Sequence, residues 1–127
     1  MTEMTTLDTL KQMRELLTDP NNWYQGTFAG YRNASGSTQA VGSKTLYPSW
    51  LNSQVNCWCM LGAGLKVTQA VCLCEPTWEV EIRKTIRNTT IYESIPAFND
   101  DPHTTHADVL VVLDKTIQRL EAQHAAQ

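Results

Sequence analysis

The sequence lacks several things, and each absence narrows its function. No apolar run approaches the roughly 18 residues that a membrane-spanning helix needs. The first residues, "MTEMTTLDTLKQ", hold no apolar core of a secretory leader, so a cytoplasmic chain with reduced thiols is expected. There is no basic excess: the net charge is −3, and charged residues make up 18% of the chain. A surface that coats nucleic acid or binds membrane headgroups wants the opposite balance, so neither partner is expected. Low-complexity tracts and internal repeats are missing, apart from two C-x-C pairs. Aromatics are few, at 8%, but four of them are tryptophan, a residue enriched where proteins bind.

What is present reads as an ordinary globular chain. Apolar residues at 42% of 127 support one domain over residues 1–127 with a core of its own. The expected fold class is α+β: a helix-rich domain of about four helices with one β-hairpin. Met4, Leu7, Leu10, Met13 and Leu17 recur at helical spacing and predict a helix over 5–18, closed by "DPNN". The stretch 24–43 suits a hairpin, 24–32 and 37–43, turned at "NASG". Pro48 opens an expected second helix whose stripe is Leu51, Val55, Trp58, Gly62 and Leu65. Its glycines at 62 and 64 imply a closely approaching backbone or the helix end.

The apolar run 70–74 suits a buried strand. Pro76 starts a third helix to about Asn88, with Trp78, Ile82 and Ile86 inward and Glu79 paired to Arg83. The basic cluster Arg83, Lys84 and Arg87 reads as a solvated face. The last helix has Thr105 and Asp108 as its cap, Leu110, Leu113, Ile117 and Leu120 as its stripe, and Val109, Val111 and Val112 widening it.

The cysteines raise the question of chemistry. On a helix, Cys57 and Cys59 would point about 200° apart and share no metal. Zinc sites favour C-x-x-C, whereas the pairs here, Cys57/Cys59 and Cys72/Cys74, are C-x-C, so no metal site and no cofactor are expected. A catalytic reading would use Cys59, with its pKa lowered at a helix start, together with His103 or His106 and Asp100. The default reading is cysteine as a small core hydrophobe.

Four stretches stand in order: "NWYQG" (Asn22–Gly26), "CMLGA" (Cys59–Ala63), "FND" (Phe98–Asp100) and "THADVLVVLDKTI" (Thr105–Ile117). Over nearly the whole chain they resemble a family of short bacterial and phage proteins known only as a domain of unknown function. The chain departs from that pattern at Phe98, where the family often has tryptophan, and in its extra cysteines 57, 72 and 74. The resemblance implies no activity, but it picks out Trp23, Gln25, Cys59, Asn99, Asp100 and Thr105.

The segment "AFNDDPHTTH" reads as a polar loop. Asn99 suits a brace, because an amide both donates and accepts. Asp100 and Asp101 are adjacent carboxylates, and one of them should face solvent or a ligand. The expected ligand-binding set is Trp23, Tyr24, Gln25, Asn99, Asp100 and Thr105, with no catalytic residue. The functional expectation is a small binding module for a polar or nucleotide-like molecule or for a host protein. The alternatives are a structural protein, with self-association left open, or a small hydrolase built on Cys59.

Overall fold

The computed structural model describes residues 5–40, 49–70 and 75–125. Helix α1 is Thr6–Leu16, and Thr5 and Asp8 close a reciprocal capping box at its start. Leu10, Met13 and Leu17 are fully buried, as the stripe requires. Pro20–Asn22 forms a single 3₁₀ turn that ends the helical run. The hairpin forms with shorter strands than expected. Strand β1, Ala29–Arg32, pairs antiparallel with β2, Thr38–Ala40, in the register Tyr31 opposite Gln39. Asn33 directs the turn, its side-chain oxygen accepting from the backbone of Ser35 and Ser37.

The second helix departs most from expectation. Ser49–Leu51 is a 3₁₀ turn, Cys57–Trp58 is strand β3, and helix α2 runs only over Met60–Thr68. The expected helix start at Pro48 lies outside the described residues. The ladder explains the change. β3 pairs antiparallel with β1, giving the sheet order β2-β1-β3. The N–H of Cys59 donates to the Phe28 carbonyl at 3.2 Å, so the chain stays extended until that residue. Val55, Trp58, Gly62 and Leu65 of the stripe are buried and Leu51 is half-buried, but from a turn, a loop, a strand and a short helix. Cys57 and Cys59 therefore sit at the end of a strand, and the helical 200° argument does not apply. The strand expected over 70–74 lies, past Ala70, outside the described residues, as do Cys72 and Cys74.

Helix α3, Thr77–Thr89, follows Pro76 and buries Trp78, Ile82 and Ile86. Arg83 pairs with Glu79 at 3.5 Å, Lys84 with Glu81 at 3.4 Å, and Arg87 donates to the Glu93 carbonyl. The basic cluster is thus engaged along its own surface.

A short helix, α4, Ile95–Asp100, stands where a loop was expected. Its signal was Ser94 followed by a proline in the first turn. The Ser94 hydroxyl caps the Ala97 N–H, and Pro102 disfavours helix at Asp101. Helix α5, His106–Ala125, is capped by Thr105 as expected. Its inner stripe is Val109, Val112, Leu113, Thr116, Ile117 and Leu120; Leu110 is half-buried and Val111 is exposed. The observed class is α+β, with five α-helices and one three-stranded antiparallel sheet among the described residues. The core lies where α1 packs on α2 and α5, and α3 on α5. Among the described residues no helix is long and apolar enough to cross a membrane.

Candidate functional site

The segment Trp23–Phe28 leaves the first 3₁₀ turn and passes between β3 and α4. The Tyr24 N–H donates to the Trp58 carbonyl at 2.9 Å, which pins its start to the sheet. A second set of hydrogen bonds falls on the end of α4. The Trp23 indole N–H donates to Asn99 Oδ1 at 2.8 Å. Gln25 Nε2 donates to the carbonyls of Asn99 and Asp101, at 3.0 and 2.9 Å, at the end of α4. The Gly26 N–H donates to Asp100 Oδ1 at 3.0 Å. Gly26 does so with φ +118°, a conformation that side chains oppose.

Asn99 is the hub of this arrangement. Its oxygen also accepts from the Met60 N–H at 3.1 Å, at the start of α2. Its amide nitrogen donates to the Tyr24 carbonyl at 3.1 Å and to Asp100 Oδ1 at 2.8 Å. The amide thus makes all four of its hydrogen bonds, and the residue is 1% exposed. Asp100 is exposed and Asp101 half-buried. The Tyr92 hydroxyl, followed by the His103 N–H, holds the Asp101 carboxyl below its usual range.

Beside this network lies a cavity of about 270 Å³, lined by residues 26–28, by Cys59 and Leu61 of the α2 start, and by Ile95, Pro96, Asn99 and Asp100 of α4. Phe28, Leu61, Ile95 and Pro96 make its walls apolar, and the exposed Asp100 stands at its mouth. The Phe28 ring is held edge-on against Trp50 at 5.1 Å. Helix α2 approaches this closely because residue 62 is glycine: a Cβ there would lie 1.9 Å from the Phe28 oxygen.

The structure brings five of the six expected ligand residues together. Trp23, Tyr24, Gln25, Asn99 and Asp100 form one network, whereas Thr105 caps α5, exchanging bonds with Asp108 at 2.9 and 3.2 Å, and stands off the cavity. Trp23 and Tyr24 do not line the cavity. The Trp23 ring packs towards His106, and Tyr24 packs over Gly30. The cavity's aromatic is Phe28, which sequence reasoning missed, with Leu61, Ile95 and Pro96. Gly26–Phe28 continue the motif at Gln25, and Ile95–Pro96 follow the Ser94 cap, so both signals were present.

Cys59 is the N-cap of α2, its sulfur accepting from the Gly62 N–H at 3.3 Å. Burial pushes its thiol up to about 11, and the Asp100 charge pushes the same way. The lowering that the catalytic alternative needs at a helix start fails because burial outweighs the hydrogen bonds that the helix supplies. No imidazole bonds to it among the described residues. His106 Nε2 engages the Leu17 carbonyl, and the exposed His103 pairs with Asp101 at 3.2 Å. Among the described residues no group of three or more His, Cys, Asp and Glu is placed to hold a metal.

A family model described as a family of unknown function, DUF6197, matches residues 1–119. No curated protein matches the chain, and no solved structure does.

Proposed function

The chain belongs to the DUF6197 family, whose function is unknown, and from its own site we propose that it is a binding module for a small molecule. The ligand sits in the cavity beside Asn99 and Asp100. The observation that carries this reading is the cavity itself: an apolar recess with a convergent polar edge, built on a hydrogen-bonded frame. At about 270 Å³ it falls just below the roughly 300–1,000 Å³ of drug-sized sites and above the ~150 Å³ that accepts benzene. One ring or a short chain fits, which is less than a whole nucleotide.

Trp23, Tyr24, Gln25 and Asn99 act as the frame of the site, and Asp100 is the member of the expected set left to meet a ligand. A binding role is favoured over an enzymatic one because Cys59 is a protonated thiol to which, among the described residues, no imidazole bonds.

The test is a benzene-sized fragment screen by protein-observed NMR. Fragments should shift the amides of Gly26, Leu61 and Asp100. Thr27→Trp, which places an indole at the rim, should remove those shifts while the fold persists. A screen with no hits at these amides, or equal binding by the Trp variant, would reject the reading.

A further inference from the structure

We propose that the ligand of this cavity is a primary ammonium carried on a short apolar chain or ring, with Asp100 as its counter-ion. This rests on the pocket reading above and adds the chemical class.

The lining decides the sign of the ligand's charge. Among the described residues, no lysine, arginine or histidine contributes to it. Three backbone N–H groups around it are already in use. Gly26 donates to Asp100, Met60 to Asn99, and Gly62 to the Cys59 sulfur. The Asn99 amide is saturated. Cys59 stays a neutral thiol at neutral pH. The charged side chain that the described lining offers a ligand is an acceptor, the Asp100 carboxylate.

Asp100 supplies that acceptor, and its orientation is set in advance. Oδ1 takes the bonds from Gly26 and from Asn99, while Oδ2 accepts nothing from the described residues. A carboxylate already held by two donors loses little freedom when a third arrives, which favours binding. Behind it, Phe28, Leu61, Ile95 and Pro96 offer apolar surface and few polar atoms. The complement is a cation with an apolar tail short enough for about 270 Å³. An ammonium supplies up to three donors and the charge; an alcohol of the same length supplies neither the charge nor the donor count. The same chemistry is carried by a free amine and by a lysine side chain at the surface of a peptide.

The test is an NMR titration of the whole chain with n-butylammonium, n-butanol and butanoate, read at the amides of Gly26, Leu61 and Asp100. Butylammonium should bind about tenfold tighter than butanol, the worth of a charge-assisted bond near the surface, and butanoate should bind least. Asp100→Asn keeps an oxygen for Gly26 and Asn99, so the frame holds, and the preference for ammonium should vanish while butanol still binds. Should that variant fail to fold, the wild type still decides. Raising salt from about 0.05 M to about 0.5 M should weaken butylammonium and leave butanol unchanged. Nα-acetyl-lysine amide separates the sources: if it matches butylammonium, the ligand is peptide-borne, and if it is excluded, the ligand is a free amine. Equal binding of ammonium and alcohol overturns the ammonium inference and leaves the pocket standing, and tightest binding of butanoate overturns it too. No response to any of the three overturns both.

Discussion

Trp23 and Asn99 lie 76 positions apart in the chain, and the indole N–H of one meets the side-chain oxygen of the other at 2.8 Å. That bond, with the three others made by the same amide, ties together the 23–28 segment, the start of α2 and the end of α4. The cavity sits among these three pieces. Its shape therefore depends on a residue that is itself saturated and does not need to touch a ligand.

Asn99→Ala should cost about 2–5 kcal/mol of stability. It strands the buried Met60 N–H and the Trp23 indole N–H, at ~1–3 kcal/mol each. A denaturant melt reads this directly. A loss under about 1 kcal/mol would mean that water replaces the amide and that the frame is not rigid.

Gly62→Ala should destabilise by about 1–3 kcal/mol, although alanine is the better helix former. The added Cβ would lie 1.9 Å from the Phe28 carbonyl oxygen, so the end of the 23–28 segment and α2 must separate. Stabilisation in a thermal melt, as helix propensity alone demands, would contradict this close approach.

Leu113→Ala should cost about 2–5 kcal/mol, because the side chain is fully buried on the inner face of α5. Val111→Ala, two positions away and 49% exposed, should change stability by about 0.5 kcal/mol or less. Equal effects of the two in urea melts would show that the inner face has been placed on the wrong side of the helix.

Stability should fall as pH rises above about 9. The Cys59 thiol is raised from an ordinary 9.0 to about 11 in the folded chain. Below pH 9 both folded and unfolded chains keep the proton, and the contribution is fully present. Between about 9 and 11 the unfolded chain loses its proton while the folded one holds it, so unfolding gains. Cys57, raised by burial, acts in the same direction. Cys59→Ser, which keeps a good N-cap, should remove about 1–2 kcal/mol of the decline between pH 8 and pH 10.5. Urea melts at the two pH values check it, and an unchanged decline in the Ser variant would refute it. The same raised thiol predicts slow alkylation of Cys59 near neutral pH, measured by mass-mapped labelling.

Three helices were legible in the sequence because their information is local. The stripes of α1, α3 and α5 repeat every three or four residues. Their starts carry Thr5 with Asp8, Pro76, and Thr105 with Asp108, which act within one turn. The Asn33 turn was legible for the same reason: the side chain that bends the chain bonds to residues two and four positions on.

The tertiary structure decided the rest, because the deciding partners are remote. Residues 57–58 carry a helical stripe, yet they are a strand, since β1 offers a ladder that no local pattern announces. The catalytic alternative for Cys59 needs a pKa lowered at the helix start; burial among distant residues raises it instead. Trp23, Gln25, Asn99 and Asp100 were recognisable as residues to watch. The amide chemistry of Asn99 already suggested a brace; that its partners are Trp23 and Tyr24, and that the exposed Asp100 holds Gly26 beside a cavity, follows from which atoms the fold brings together, and hydrogen bonds between positions some 75 residues apart leave no periodicity in a sequence.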